Sequence, residues 1–192
     1  VDAVKWLVDN FNGKIIFPST CSVYGVNNDL IEEGALPNPL SLYAATKLEA
    51  EKYVLENCNN ALVFRLGTLF GLGDRHSRMR LDLVATAISH GLKNNISGLY
   101  NLSYKNYKIT DLGKEIQKIV PECHVEYTDM KFEDLRNYRV KNDKFLATGW
   151  RPLYTLADGI MDIFLLIQEN RVKDTTDEVY SNAAYMRKLN EF

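Results

Sequence analysis

The stretch KIIFPSTCSVYG, residues 14–25, joins an apolar run to a cluster of small polar residues. The run Lys14–Phe17 predicts a short buried strand, and Ala61–Leu66 predicts a second one. Between them, a long helical stretch follows Ser41 and extends to about Asn57. Helices that alternate with continuously apolar strands are typical of a parallel sheet covered by helices. The sequence therefore predicts an α/β fold, with ligands bound beyond the carboxyl ends of the strands.

The other predicted elements continue this alternation. At the N-terminus, residues 1–11 predict an amphipathic helix with one apolar face (Val1, Val4, Leu7, Val8 and Phe11). Further helices are expected at Asp82–His90, Thr110–Val120 (with Thr110 as N-cap) and Thr155–Glu169, strands at Gly98–Leu102 and His124–Tyr127, and loops at Gly67–Arg80 and 129–141.

Composition excludes several classes of protein. With 23 basic and 25 acidic residues among 192, the chain lacks the basic excess of a nucleic-acid-binding protein. Its three cysteines (Cys21, Cys58 and Cys123) form no CxxC pair, so we expect neither a zinc site nor a disulfide framework. The longest apolar stretch, Ile160–Ile167, is too short to span a bilayer. We therefore expect a cytoplasmic protein that binds neither membrane nor metal.

Tyr43 and Lys47 form the strongest candidate for catalysis. Four residues apart on a helix, they lie on the same face. A phenol is a poor base at neutral pH because its usual pKa is about 10. A nearby ammonium favours the phenolate, so the pair can act as an acid/base catalyst. The YxxxK pattern alone is common, however, and most copies are ordinary surface helix.

The polar cluster after the first strand makes a catalytic interpretation more specific. Ser19–Ser22 alone would be an ordinary Ser/Thr-rich turn. Here it stands at the carboxyl end of a predicted strand, and an acidic, proline-containing loop separates it from Tyr43. Both groups of residues would then face the edge of the sheet where ligands bind.

Together these motifs resemble the extended short-chain dehydrogenase/reductase family, in particular nucleotide-sugar epimerases of the UDP-glucose 4-epimerase type. The family pattern is an apolar strand, S-[ST]-x-x-V-Y-G, E-x-x-x-x-x-P and P-x-S-x-Y-x-x-x-K. It is similar to residues 17–25, Glu33, Pro39–Ser41, Tyr43 and Lys47. The resemblance implies a Rossmann-like doubly wound sheet with its N-terminal βαβ units absent. Residues 1–91 would form the second half of that catalytic domain, and 92–192 a substrate-binding lobe with closing helices.

The similarity extends along nearly the whole chain. Residues 65–71 resemble R-x-x-N-V-Y-G, with Thr68 in place of Asn. Residues 77–84 resemble the S-P-R-M-R-x-D-L-V segment of one epimerase branch, where Thr86 replaces a following Asn. Residues 134–140 resemble D-x-R-x-Y-R-V, and 149–159 resemble the family's C-terminal L-G-[WF]-x-P-x-[ST]-L-x-x-G-I.

The resemblance also implies roles for individual residues. Tyr43 would be the acid/base, Lys47 would favour its phenolate form, and Thr20 would share a hydrogen bond with the same substrate hydroxyl. Ser19, Tyr43 and Lys47 would bind the cofactor, NAD. The implied substrate is a nucleotide sugar, most simply a UDP-sugar, bound by Thr20, Arg78, Arg80, Thr86 and Arg136. Arg136 is the main candidate for the diphosphate, because guanidinium groups bind phosphate oxygens bidentately. A homodimer through the helix that carries Tyr43 is a further expectation.

Two departures narrow the reaction. The family's 4,6-dehydratases carry Asp-Glu after the Thr, where this chain has Cys21 and Ser22, so we expect no dehydratase. The epimerase-reductases that make GDP-fucose use a cysteine near this place and a distant histidine. Cys21 is displaced by one residue from that position and His76 is an unsupported partner. Cys21 is therefore expected to be a packed core residue.

The family's cofactor-binding turn, G-x-x-G-x-x-G, does not occur in these 192 residues; the nearest approach is Gly71-Leu-Gly73. A second segment is expected to be absent near Gly91. Two hypotheses follow. One is an NAD-dependent epimerase whose remaining segments lie outside this sequence. The other is a catalytically inactive, truncated family member that only binds a sugar nucleotide or a partner protein.

Overall fold

The computed structural model describes residues 1–67, 78–126, 139–172 and 174, except for the side chains of 78–82 and 109. The helices are α1 (Asp2–Asn10), α2 (Leu42–Asn57), α3 (Arg78–Lys93), α4 (Ile109–Ile119), α5 (Asp143–Leu146) and α6 (Leu156–Gln168). The strands are β1 (Ile16–Thr20), β2 (Leu30–Ile31), β3 (Leu62–Leu66), β4 (Gly98–Leu102) and β5 (Arg139–Val140), and a short 3-10 helix follows β1 at Cys21–Tyr24.

Three parallel strands form the main sheet in the order β1-β3-β4. Thr20 is paired with Leu66, and Leu66 with Leu102, so the three carboxyl ends are level. The α/β fold with a parallel sheet is thus confirmed. β1 runs farther than the sequence predicts, because pairing with β3 continues through Ser19 and Thr20. These two residues therefore belong to the strand and not to the loop after it.

One face of β1 and β3 packs against α1 and α2. Phe17 and Val63 meet Val8 and Val54 in a buried apolar cluster. The two helices are also linked by Lys5 Nζ to Glu49 Oε1 at 2.8 Å, and by Tyr53 Oη to Asp9 Oδ1 at 2.7 Å. On α1 the predicted apolar face is too wide, because Leu7 and Phe11 are exposed and only Val8 is fully buried.

A second core is built from aromatic rings. Phe145, on the one-turn helix α5, makes edge-on or tilted contacts with Phe64 of β3, Tyr100 of β4, His90 of α3 and Trp150. The Phe145 and Phe64 centroids are 4.9 Å apart. This cluster packs on the face of β3 and β4 that is opposite to the apolar cluster of Val63.

β2 and β5 form a separate two-stranded parallel sheet. β5 lies within the predicted loop 129–141, which is wrong at this point; residues 127–138 are outside the described part of the chain. The side chain of Asn106 exchanges two hydrogen bonds with the backbone of Val140, at 2.9 and 3.0 Å, as a neighbouring strand would. Long-range pairing of this kind leaves no periodic signal in a two-residue strand.

The helices differ from the sequence prediction at two starts and one end, since α3 ends at Lys93 and not at His90; α5 is not predicted. α6 begins after Thr155, which forms the capping box with Asp158. α4 instead begins at Ile109 with Lys108 as its N-cap, earlier than the predicted cap at Thr110. α3 begins at Arg78, inside the predicted loop Gly67–Arg80. Residues 123–126 form no regular element, so the described part of His124–Tyr127 is not a strand.

The described residues fall into two compact units, each made of separate segments. The first contains 1–67, 84–106 and 139–152, and includes both sheets. The second contains 78–83, 107–126 and 153–172, in which α4 packs against α6. The division into a catalytic part, residues 1–91, and a substrate-binding lobe, residues 92–192, stays a prediction. None of the described helices is both long and apolar enough to cross a membrane.

Candidate active site

Ser41 sets the position of Tyr43. Its Oγ accepts a hydrogen bond from the backbone N–H of Ala44 at 3.1 Å, and its own backbone is extended. This is the N-cap geometry, so α2 begins at Leu42 and Tyr43 falls in the first turn. The Tyr43 side chain is 55% exposed, which leaves its hydroxyl open to a ligand.

Lys47 lies one turn further along α2 and points back towards β1. Its Nζ donates a hydrogen bond of 2.8 Å to the carbonyl oxygen of Pro18. The same nitrogen is 6.0 Å from the centroid of the Tyr43 ring and 5.1 Å from that of Phe17. Burial lowers the pKa of the Lys47 ammonium. The predicted pairing of Tyr43 with Lys47 is thus realised on one helix face, beside the end of β1.

Thr20 is the last residue of β1 and is largely buried. Its Oγ1 accepts a hydrogen bond of 3.1 Å from the backbone N–H of Ser22 and so caps the 3-10 helix. A hydroxyl that accepts in this way can still donate its own hydrogen. β1 therefore delivers Thr20 and the carbonyl of Pro18 to the same end of the sheet, where α2 brings Lys47.

Ser19 is 2% exposed and donates a hydrogen bond of 2.6 Å to Oε2 of Glu51. Glu51 is one turn beyond Lys47 on α2 and is itself buried. Arg65 of β3 donates to both carboxylate oxygens from Nε, at 3.1 Å each, and also from Nη2. Burial opposes the charge of Arg65, but its hydrogen bonds and attraction to Glu51 outweigh that and raise its pKa.

Sequence reasoning missed Glu51, Tyr24 and Asn101, which extend this network. Arg65 Nη1 donates to Tyr24 Oη at 2.8 Å, and Tyr24 Oη in turn donates to Asn101 Oδ1 at 2.8 Å. Burial raises the pKa of Tyr24 to about 12, so this phenol stays protonated. Two signals could have been found: an Arg inside an apolar strand, and a Glu in register with Tyr43 and Lys47.

Cys21 lies in the core and is completely buried. Its Sγ donates a hydrogen bond to the carbonyl oxygen of Arg65 at 3.2 Å. Burial raises the pKa of the thiol to about 12, which removes the thiolate needed for nucleophilic or acid/base chemistry at neutral pH. The packed role expected for Cys21 is what the structure shows.

The residues predicted to bind substrate are only partly within the described structure. Thr86 is half-buried on α3. Arg78 and Arg80 lie in the first turn of α3, but their side chains are outside the described atoms. Arg136, Thr68 and His76 fall outside the described residues altogether. Within the described ranges, no group of three or more His, Cys, Asp or Glu side chains could hold a metal ion.

Comparison with known sequences shows which proteins this chain is similar to. Residues 3–90 match the family model described as the RmlD substrate binding domain. Proteins named methionine adenosyltransferase 2 subunit beta are similar over shorter stretches. The protein from Bos taurus is 44% identical over 61 residues, which are 32% of this chain and 18% of that protein. The protein from Danio rerio is 32% identical over 77 residues, 40% of this chain and 24% of that protein. The matched stretches thus span about a quarter or less of these relatives.

Solved structures share the fold over most of the chain. UDP-glucuronic acid 4-epimerase from Bacillus cereus has a TM-score of 0.67 at 21% identity, covering 92% of this chain and 68% of that one. RMD from Pseudomonas aeruginosa, complexed with NADPH, has a TM-score of 0.67 at 23% identity, covering 85% and 69%. dTDP-glucose 4,6-dehydratase from Bacillus anthracis has a TM-score of 0.69 at 18% identity, covering 88% and 66%.

At these identities the solved structures establish the fold and not the reaction. The family model adds sequence similarity over the segment that carries β1, α2 and their catalytic candidates. These findings agree with the resemblance inferred from the motifs: over residues 3–90 the chain is similar to the RmlD substrate binding domain, and it has the fold of solved nucleotide-sugar epimerases and dehydratases.

Proposed function

We propose that this chain carries the acid/base centre of an NAD-dependent nucleotide-sugar epimerase. The observation that carries the proposal is the meeting of Lys47 with the end of β1, one turn from an exposed Tyr43. A lysine on an ordinary surface helix would extend into water, whereas this one is drawn onto the strand that ends in Thr20. Its Nζ lies 6.0 Å from the centroid of the Tyr43 ring.

Each residue then has a defined task. Tyr43 takes the proton from a sugar hydroxyl and returns it when the hydroxyl re-forms. Thr20 hydrogen-bonds the same hydroxyl and fixes its direction towards Tyr43. Lys47 stabilises the charge that develops on the phenol oxygen. Tyr24 cannot take over this task, because it is buried and its raised pKa keeps it protonated.

The residues present fit one end of NAD. The Lys47 ammonium has three N–H donors, of which Pro18 accepts one, so the others are suited to the hydroxyls of the nicotinamide ribose. Tyr43 would complete this contact. Cofactor binding by Ser19 stays a prediction without such support, because the buried hydroxyl of Ser19 donates to Glu51. NAD, when bound, supplies the acceptor and donor of hydride. The glycine turn that would hold its pyrophosphate is not among the 192 residues.

The proposed substrate is a UDP-sugar, with a homodimer through α2 as the proposed assembly and the cytoplasm as the proposed location. Support for the substrate class comes from solved structures of the same fold in complex with UDP-glucose or UDP-glucuronic acid together with NAD. Arg136 is proposed for the diphosphate, with Arg78, Arg80 and Thr86 as further contacts. The cysteine and serine after Thr20 favour epimerisation over loss of water.

Substitution of Tyr43 in the whole protein, supplied with NAD and a panel of UDP-sugars, tests the proposal. Tyr43→Phe keeps the ring and removes only the hydroxyl, so we expect kcat to fall by roughly 10²-fold to 10⁴-fold while the fold is retained. The matched control is Tyr53→Phe on the same helix, whose hydroxyl donates to Asp9 of α1. Product analysis by NMR identifies the epimer; normal turnover in Tyr43→Phe overturns the mechanism.

A second candidate is a non-catalytic subunit, favoured by one observation. The relatives at 44% and 32% identity are named as a subunit beta of methionine adenosyltransferase 2. On this hypothesis the same fold serves to bind a partner protein or a sugar nucleotide. The intact mass of the purified protein, together with NAD binding, separates the two: a protein of only these 192 residues that binds no NAD supports the subunit.

A further inference from the structure

Two hydrogen bonds tie helix α2 to strand β1 in parallel. Lys47 bonds to the carbonyl oxygen of Pro18, and Glu51, one helical turn later, bonds to the hydroxyl of Ser19, the next residue of the strand. From the first contact to the second, the helix advances by one turn and the strand by one residue. The pair of contacts therefore fixes the helix both along and about its axis relative to β1.

The contact of Glu51 is far better anchored than that of Lys47. The Glu51 carboxylate is also held by Arg65, which belongs to the neighbouring strand β3. Glu51, Arg65 and Ser19 are 1%, 3% and 2% exposed. Glu51 thus joins α2 to two strands at once inside the protein, whereas Lys47 is only half-buried.

Stability alone is a poor explanation for this arrangement. Two buried charges lose their hydration, and well-packed apolar residues of similar size are often as stabilising or more so. Apolar contacts between α2 and β1, such as the cluster of Phe17, Ala50 and Val54, are non-directional. Hydrogen bonds to a buried carboxylate are directional, because each has a narrow range of length and angle.

We propose that Glu51 is a positioning residue: through Ser19 and Arg65 it sets the register of α2 on the sheet, and thereby the placement of Tyr43 and Lys47 relative to Thr20. The inference rests on the proposed function for its kinetic consequences. Its structural content, that Glu51 holds Lys47 against Pro18, is independent of any activity.

Ser19→Ala is the primary test, because it removes one hydrogen bond and keeps the ion pair of Glu51 with Arg65. A misplaced acid/base slows the chemical step more than it weakens binding, so we expect kcat to fall by about 10-fold to 100-fold with KM changed less than about twofold. Glu49→Gln is the matched control on the same helix, since Glu49 bonds to the exposed Lys5. An unchanged kcat in Ser19→Ala, or an equal loss in Glu49→Gln, overturns the proposal.

Glu51→Ala extends the test. The methyl group removes the acceptor for Ser19 and leaves Arg65 without its counter-charge, so this variant is the more liable to misfold. Where it folds, the double variant with Ser19→Ala should lose little more activity than Glu51→Ala alone, because the acceptor of Ser19 is already gone. Additive losses would contradict a shared role.

Acylation of lysines in the native protein gives a readout that needs no turnover. Release of α2 should free Lys47 from Pro18, so acetic anhydride should label Lys47 several times faster in Ser19→Ala than in the wild type. Lys52, exposed on the same helix, is the internal reference. Faster labelling of Lys47 in Ser19→Ala, together with an inactive wild type, would contradict only the proposed function. Unchanged labelling of Lys47 in Ser19→Ala would contradict the positioning role of Glu51.

Discussion

Lys47 Nζ and the carbonyl oxygen of Pro18 are 2.8 Å apart, so the lysine of the YxxxK pair is oriented by the strand and not by its own helix. The contact explains how a flexible four-carbon side chain can hold a charge in one place next to Tyr43. It also joins the strand motif, which contains Pro18 and Thr20, to the YxxxK motif on α2 through a direct hydrogen bond. The strand motif contributes a backbone acceptor as well as the hydroxyl of Thr20.

Replacing Lys47 with Met should remove the charge and keep most of the packing of the side chain. We expect kcat to fall, because no charge then stabilises the negative charge that develops on the phenol oxygen of Tyr43. Turnover measured with saturating substrate provides the check. Lys52→Met, on the exposed side of the same helix, should leave kcat unchanged; an equal loss there would point to a general charge effect.

Breaking the ion pair of Arg65 with Glu51 should be strongly destabilising. Arg65→Met leaves a carboxylate in the interior without its counter-charge, which costs about 3–5 kcal/mol. Urea unfolding followed by circular dichroism measures the loss. Lys5→Met removes the partner of the exposed Glu49 and should change the free energy of unfolding far less. Comparable losses in the two variants would mean that Glu51 is hydrated in the native protein.

The side-chain amide of Asn101, on β4, should stabilise the contact between the main sheet and the two-stranded sheet of β2 and β5. Its Oδ1 accepts from Tyr24, and its Nδ2 donates to the carbonyl oxygens of Ile31 and Lys141, in and next to β2 and β5. Asn101→Leu keeps the volume and removes these three hydrogen bonds. The carbonyl oxygen of Lys141 loses its amide donor, whereas that of Ile31 still accepts from the backbone N–H of Lys141, so we expect a loss of about 1–3 kcal/mol. Thermal unfolding measures it, with Asn94→Ala on the protein surface as the control. A neutral Asn101→Leu would show that water replaces the amide.

Alkaline pH should unfold the protein through Cys21 and Tyr24. Burial raises both pKa values to about 12, from ordinary values of 9.0 and 10.0. Between the unfolded and folded pKa values the native state holds more protons than the unfolded state, so stability is complete below about pH 9 and falls as pH rises towards 12. Urea midpoints measured from pH 7 upward provide the test. Cys21→Ala should flatten the decline, and an unchanged slope would show that Cys21 contributes nothing to it.

Cys21 should also resist modification in the native protein. Of the three thiols it is the only fully buried one, whereas Cys58 and Cys123 are partly accessible. Iodoacetamide at neutral pH should therefore modify Cys58 and Cys123 first, with Cys21 protected until the protein unfolds. Peptide mass spectrometry assigns the sites. Early modification of Cys21 would restore it as a candidate for chemistry.

Local patterns were sufficient for the parts of this fold that depend on neighbours in sequence. The start of helix α2 follows from Ser41, a residue type favoured at the N-cap, and the proximity of Tyr43 and Lys47 follows from helical geometry. The parallel pairing of β1 with β3 follows from two apolar runs separated by a helix.

What escaped prediction depends on residues far apart in the chain. Glu51 resembles one more charge on a polar helix until Ser19 and Arg65 are seen to bury it. β5 is only two residues long, and its partner β2 lies more than a hundred residues earlier. Lys108 in place of Thr110 as N-cap reflects competition between nearby caps, which a single sequence does not resolve.

Pro18 gives the side of β1 that faces away from β3 a further property. Among the described strands, β1 pairs only with β3. At Pro18 this strand has no amide hydrogen, and its carbonyl oxygen is already bonded to Lys47. A strand that paired with this side of β1 would find no amide donor at Pro18. Hydrogen bonding along that side is thus interrupted at the residue whose carbonyl oxygen orients Lys47.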